Sequence, residues 1–372
     1  MRFSADNELM SPHNFHGYKF LILVSIMAFS GAFLLNAQSL AIPPSADLWS
    51  ADQSGYRSGP GNKTGTDSNK IAEPLFPAAI FMDFVDNWKV REAARPYGAF
   101  TENESRCFYG QYTDTQSILL NNDILAFYGH PNSRNMGILG RFSKQELNQK
   151  LDDLAKEYSE YSGGKTVRKA FYIIFGTVWP AGEIGIIGES LLTEYIDFAL
   201  ENDILVFIDH QIGKYTPVDS LKRMLPWLKY PNVHLALDPE WRTTKPMQEI
   251  GTVTAAEINQ CQKVMEEYMI ENQIPGERLL VIHQFNHRMI SSREKVESDF
   301  SRVTLVHCAD GFGNPSIKRQ SYAYNAQAVN MPIKGFKLFY NFNIPGAGYD
   351  SPLLSPQEVY ALTPRPYVIM YQ

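Results

Sequence analysis

The chain has 372 residues, 44% of them hydrophobic and 20% charged, enough apolar material for one large core or two modest ones. A formal net charge of −6 excludes general nucleic-acid binding, which needs a basic surface. The three cysteines, Cys107, Cys261 and Cys308, have neither the even count of a disulfide framework nor the paired spacing of a zinc site.

Residues 20–35 form an uncharged, mostly apolar run after Lys19, followed by Asn36-Ala37-Gln38. A basic residue, an apolar stretch and a small residue before a polar one describe an export signal. The run is short for a comfortable membrane span of about 20 residues. We expect 1–37 to be a signal peptide cleaved after Ala37, the alternative being a retained anchor. The folded protein is therefore expected to be secreted, periplasmic or in the cell envelope, touching a membrane only through an uncleaved amino terminus. Residues 38–70 read as a flexible linker, polar and glycine-rich over 50–70. Pro74, Pro77 and Pro96 interrupt the extension 71–118, with one helix expected within 78–94.

From residue 119 the rhythm is regular. Strands are expected at 124–128, 170–175, 204–209, 233–238, 279–283, 303–308, 335–340 and 367–371. Helix signals fill most of the gaps. Ser143-Lys-Gln-Glu146 and Thr254-Ala-Ala-Glu257 are capping boxes. Thr216-Pro217 and Ser355-Pro356 place a cap before a proline at the first helical position, and a further helix is expected near 190–201. Strand, helix, strand at this spacing implies parallel pairing, and eight repeats favour a (β/α)8 TIM barrel over 119–372. Alternation agrees: Val233, Leu235 and Leu237 would face outer helices, while His234, Ala236 and Asp238 face the axis. Cys261 and Cys308 are expected to be buried thiols. The chain ends directly after the eighth strand, so the C-terminal outer helix is missing, and part of the N-terminal extension is expected in its slot.

Barrel active sites sit at the carboxyl ends of the strands. Those positions supply Tyr128 and His130, Trp179, Asp209, His210 and Gln211, Asp238, Glu240 and Trp241, His283 and Gln284, Asp310 and Phe312, and Tyr340 and Asn341. The strongest element is Asp238-Pro-Glu240-Trp241. Two acids on one side of a partly desolvated mouth repel, which raises the pKa of one toward that of a general acid. The plain alternative is that Asp238 caps a turn and Glu240 is solvated. Glu240, Asp238, Asp209 and Asp310 are the catalytic candidates. Tyr128, Trp179, Trp241 and Phe312 are candidate stacking surfaces, and the remaining strand-end residues are candidate substrate contacts. No cofactor is expected in this reading. A divalent metal held by Asp209, Asp238, His283 and Asp310 is the alternative. Gly182-Glu-Ile-Gly185-Ile-Ile-Gly188 lacks the lysine of a phosphate loop and reads as a turn.

Asp-x-Glu at the end of the fourth strand resembles the catalytic tip of family 18 chitinases and family 25 lysozymes. That resemblance implies Glu240 as acid and Asp238 as the carboxylate orienting an acetamido group. Val233 and Ala236 stand where the longer chitinase pattern has aspartates. The seventh strand carries no acid, unlike many retaining barrel glycosidases, so Asp209 or Asp310 would be the second carboxylate. A wide separation of the pair would make the enzyme inverting. Tyr128-Gly-His-Pro-Asn132, Met136-Gly-Ile-Leu-Gly140, Val281-Ile-His-Gln284 and Asp310-Gly-Phe-Gly313 are also similar to a family of exported bacterial proteins, which implies an exported barrel and no particular reaction. We expect a monomeric, exported, glycoside-hydrolase-like enzyme with a carbohydrate substrate. A metal-dependent hydrolase or isomerase, or a glycan-binding envelope protein, are the alternatives.

Overall fold

The computed structural model describes residues 117–372. The expected signal or anchor, the expected linker, Cys107 and the extension before Ser117 lie outside the described residues, as does the expected packing of that extension in the eighth helix slot. Eight strands alternate with outer elements: β1 Asn122–Gly129, β2 Thr166–Val178, β3 Leu205–Gln211, β4 Val233–Asp238, β5 Arg278–Gln284, β6 Val303–Ala309, β7 Lys334–Leu338 and β8 Val368–Tyr371. Each pairs in parallel with the next. β8 then pairs with β1 from Ile124↔Val368 to Phe127↔Tyr371. Parallel pairing around the full ring closes a (β/α)8 barrel and leaves no free edge.

Among the described residues six helices decorate the ring: α1 Lys144–Ser159, α2 Glu189–Glu201, α3 Pro217–Met224, α4 Ala255–Glu271, α5 Pro315–Ala326 and α6 Pro356–Tyr360. Five of the starts lie where the sequence places them, and α5, capped by Asn314, was not anticipated. Ser143, Thr254 and Ser355 form reciprocal capping boxes with Glu146, Glu257 and Glu358, and Thr216 caps α3 ahead of Pro217. These contacts satisfy amide groups that a helix start leaves without partners. No α-helix fills the β5–β6 crossover, which carries the 3-10 turns His287–Met289 and Arg293–Lys295 and the short strand Ile290–Ser291, paired in parallel with Val253–Thr254. Among the described residues no helix is long and apolar enough to cross a membrane.

Period-two alternation divides the apolar residues into two sets. Val206, Ile208, Val233, Leu235 and Leu237 pack outward against the helices, whereas Leu205, Phe207, Ala236, Tyr172 and Val281 fill the barrel interior. Phe207 stacks on Tyr172 at 5.1 Å between ring centroids, a packed floor beneath the mouth. Below it, the 3-10 turn Ile118–Leu120 inserts buried Leu119 into the same interior set. Lys165 Nζ donates to the Leu119 carbonyl at 2.8 Å and pairs with Asp123 at 3.1 Å. Cys261 and Cys308 are buried and free, as expected.

The β1–α1 loop folds back over the end of β1. The Ile138 amide donates to the Tyr128 carbonyl at 3.0 Å, and His130 N donates to the Met136 carbonyl at 2.9 Å. Gly137 makes this crossing with φ +90°, and a Cβ there would stand 2.2 Å from the Tyr128 carbonyl oxygen. Gly137→Ala is therefore expected to cost about 1–3 kcal/mol from backbone strain alone, with the clash in addition. Denaturant midpoints of the two proteins measure this, and equal midpoints would show that the crossing is not rigid.

Candidate active site

The mouth is built by the residues that continue each strand's inward parity. Tyr128, Asp209, Asp238, His283 and Asp310 are all buried there. The Tyr128 hydroxyl donates to Asp209 Oδ2 at 2.9 Å. His283 is the hub, with Nδ1 facing Asp310 Oδ2 at 3.3 Å, Nε2 at 2.8 Å from the Tyr172 hydroxyl, and Nε2 at 3.9 Å from Asp209 Oδ2. Burial disfavours its charged form, yet the hydrogen bonds to Asp310 and Cys308 and the charges of Asp209 and Asp310 hold its pKa well above the ordinary value. These neighbours favour the charged imidazole, and in that form Nε2–H donates to the Tyr172 oxygen.

Glu240 reaches the mouth by a different route from the one expected. Strand pairing ends at Asp238, and Glu240 sits on the 3-10 turn Pro239–Trp241, so strand alternation does not relate the two acids. Backbone contacts pin the turn: Gly251 N donates to the Glu240 carbonyl at 2.6 Å, and Gly213 N to the Trp241 carbonyl at 3.1 Å. Gly251 permits the approach, since a Cβ there would meet the Pro239 oxygen at 2.3 Å. The Glu240 side chain is half-buried, touching solvent while ringed by the other mouth residues. Burial, then the charges of Asp238 and Asp310, push its pKa well above the carboxylate range, against the pull of Lys337 and His283.

Burial raises Asp209 as well, opposed chiefly by His283. Asp238 is pushed up to about 7, by burial first and then by Asp209 and Asp310 against His283. Burial thus favours the protonated form at all of these carboxyls, and Asp238 titrates near neutrality. Asp209 Oδ1, Asp238 Oδ1 and Asp310 Oδ1 are buried without a hydrogen-bond partner. Buried oxygens of this kind are normally satisfied, so ligand hydroxyl groups or water would complete them.

The Asp238 shift has a consequence for stability. The folded group holds its proton up to about pH 7, while the unfolded one loses it near 3.9. The unfolded state therefore binds fewer protons between those values, and this contribution to stability is present below about pH 4 and lost as pH rises through 7. Buried His210 and His234, lowered to about 3 mainly by burial, slope the opposite way below about 6.5. Comparing Asp238→Asn with wild type isolates the carboxyl. The stability difference should move in favour of the variant by about 1 kcal/mol per pH unit between 4 and 7. Parallel stability–pH curves would contradict the burial argument.

Several candidates from the sequence lie elsewhere. His210 follows Val206 and Ile208 on the outward parity of β3; its ring lies 6.0 Å from Phe175 and feels Arg223 on α3. Gln284 also points outward, holding His307 Nε2 at 2.8 Å and accepting from Arg293. Tyr340 packs on Tyr371 at 5.2 Å and lines an outer groove with Phe127, Phe142 and Leu154. Asn341 is exposed and accepts from Asn343 N at 2.9 Å. Gln211, by contrast, keeps the inward parity of Asp209 and is buried at the end of β3, its side-chain oxygen accepting from Val178 N at 2.9 Å, and His130 Nδ1 accepts from Asn132 N in the β1–α1 loop. Strand alternation turns Asp209 inward and His210 outward, a distinction that polarity at a strand end does not carry.

The aromatic set is corrected in one member. One face of Tyr128 is covered by the Lys337 ammonium at 3.7 Å, and Tyr172 lies 5.2 Å away, so Tyr128 donates a hydrogen bond and cannot stack on a sugar. Trp179 is 51% exposed and lies against the bare backbone of Gly185, where a Cβ would meet its Nε1 at 2.7 Å. Phe312 is half-buried, edge-on to Phe339 at 6.0 Å, and Trp241 is half-buried beside Glu240 in the chain. The metal alternative also changes. Asp209, Asp238, His283 and Asp310 do gather, but both nitrogens of His283 face protein partners. Among the described residues no group of three or more His, Cys, Asp or Glu side chains is arranged to hold a metal ion.

Two inward residues were not expected. Tyr172 lies mid-strand, and Lys337 shares the parity of Gly335 between outward Phe336 and Leu338. Reading the seventh strand to Tyr340 hid Lys337; pairing stops at Leu338.

No protein-family model and no curated protein sequence matches the chain. Solved structures show distant similarity, mostly to glycoside hydrolases. A chitinase from Ipomoea carnea is 10% identical with a TM-score of 0.38, covering 67% of this chain and 94% of that one. The GH18 chitinase of a Flavobacterium johnsoniae chitin-utilization locus is 10% identical with a TM-score of 0.34, covering 68% and 87%. A 2,3-dimethylmalate lyase is 12% identical with a TM-score of 0.35, covering 61% and 79%. Similarity this distant carries no inference about chemistry, and a lyase stands among the chitinases.

Proposed function

We propose that the chain is an exported glycosidase-type hydrolase acting on a polysaccharide or cell-envelope glycan by carboxyl acid/base catalysis. One observation carries this reading: a half-buried Glu240, with its pKa raised by burial and by the charges of Asp238 and Asp310, stands at the mouth of a closed barrel. A carboxyl that keeps its proton near neutrality can give it to a glycosidic oxygen as the bond to the anomeric carbon breaks. The opposing step needs a carboxylate that takes a proton from water, or that attacks the anomeric carbon itself. Asp209 and Asp310 are the candidates, because each has one oxygen engaged, with Tyr128 or His283, and Oδ1 unpartnered. Asp238 would orient a substrate hydroxyl or amide. Trp179, Trp241 and Phe312 supply apolar surfaces suited to sugar faces. The apolar run at 20–35 and the polar linker after it support export.

The test is release of new reducing ends from neutral, acetylated and acidic polysaccharides by the purified protein. No product from any of them, together with saturable binding of one, would replace the hydrolase reading with a glycan-binding barrel.

A further inference from the structure

The most unusual group in the mouth is Lys337. Its side chain runs inward from β7, only 4% of the residue is exposed, and its ammonium lies over the rings of Tyr128 at 3.7 Å and Phe339 at 5.1 Å. Neither ring offers a lone pair in the direction of an N–H bond. Among the described residues the ammonium has no hydrogen bond and no ion pair within 4.0 Å, although its charge is felt by Asp209, Asp238 and Glu240. The stem is buried while the ammonium, with three donors and a full charge, reaches the solvent of the mouth, where a ligand can supply its acceptor. Elsewhere in this barrel buried lysines are satisfied. Lys318 donates to the carbonyls of Gly311 and Lys337 and pairs with Asp350. Lys334 donates to the carbonyls of Asn325 and Ala328 at 2.8 Å.

We infer that the mouth takes a glycan unit bearing one anionic group, which Lys337 binds while the carboxyl groups bind its hydroxyls. This deepens the glycan reading above and rests on it. Charge supports the assignment. Burial raises Asp209, Asp238 and Glu240 against the pull of Lys337, and Asp310 Oδ2 faces His283 Nδ1 at 3.3 Å, so among the described residues Lys337 is the mouth cation with no acceptor within 4.0 Å. The unpartnered Oδ1 atoms of Asp209, Asp238 and Asp310 suit hydroxyl groups, so the ligand is both hydroxyl-rich and acidic. A sugar carboxylate and a sugar sulfate ester share the required chemistry.

The full chain carrying Glu240→Gln, which prevents turnover, is titrated calorimetrically with uronate-containing, sulfated and neutral oligosaccharides of equal length. One acidic class should bind at least about tenfold tighter than the neutral ones, a preference weakened by salt; which class it is identifies the anion. Adding Lys337→Met should abolish the preference while leaving neutral affinity unchanged, and Lys337→Arg should keep it. Equal affinity for acidic and neutral ligands, equal loss for all ligands in Lys337→Met, or no binding by any ligand would each overturn the inference. Should Lys337→Met not fold, the wild-type preference and the Lys337→Arg protein decide it. The two readings fail separately. Hydrolysis of neutral glycans without acidic preference would keep the hydrolase and remove the anionic substrate. Selective acidic binding with no product from wild type would do the reverse.

Discussion

Glu240→Gln is expected to lower kcat on glycans by about 10²–10⁴-fold, the range over which a positioned general acid acts. The amide matches the carboxylic acid in size and still donates a hydrogen bond, but has no proton to transfer. Folding and ligand affinity should therefore persist, because the turn holding residue 240 is pinned through its backbone by Gly251 and Gly213. Substrates with a leaving group that departs without protonation should be spared much of the loss. The pH profile adds an independent signature. Burial, and then the charges of Asp238 and Asp310, keep the proton on Glu240 above the carboxylate range, so activity should fall on the alkaline side as that proton is lost. Asp238→Asn removes one of those charges and should move the alkaline limb toward acid. Unchanged kcat in Glu240→Gln would dismiss the assignment.

Asp350→Ala should destabilise the barrel by about 3–5 kcal/mol, as expected when one partner of a buried ion pair is removed. Lys318 and Asp350 lie 3.3 Å apart with side chains 1% exposed. Burial pushes both toward their neutral forms, and their mutual attraction opposes this. Asp350 also accepts the amides of Gly313 at 2.9 Å and Phe339 at 3.0 Å. It thereby ties the loop after β6, the end of β7 and the segment before α6 into one rim. Without it, the Lys318 charge loses its counter-ion and two amides lose their acceptor. Lys318→Met combined with Asp350→Ala should recover part of the loss, since the stranded charge is gone. Urea unfolding of wild type, Lys318→Met, Asp350→Ala and the double variant measures this; Asp350→Ala within about 0.5 kcal/mol of wild type would show the pair to be dispensable.

How much could be read from the chain alone follows from the range of the interactions involved. Helix starts were legible because capping boxes such as Ser143–Glu146 and Thr254–Glu257 close within three residues. Strand faces were legible because alternation is a property of the backbone, so Val233, Leu235 and Leu237 declare the outer face by themselves. Eight such strands separated by helix-length segments already imply a parallel ring. The site was legible in part: Tyr128, Asp209, Asp238, His283 and Asp310 share an inward parity. His210, Gln284 and Tyr340 did not belong with them, and consistent use of that parity would have removed all three.

What the chain could not declare is which inward groups meet. The approach of His283 to Asp310, of Tyr128 to Asp209, and of Lys337 over Tyr128 joins residues dozens to hundreds of positions apart. Strand tilt and stagger around the closed ring set those encounters. The proton affinities follow from the same closure. Asp238 is an ordinary aspartate in the sequence, and only enclosure beside other acids lifts it to about 7. The amino-acid order alone thus determined the elements and their faces, because those depend on neighbours within a few residues. Tertiary structure decided the charges of the mouth, because desolvation and Coulomb energy depend on distance in space.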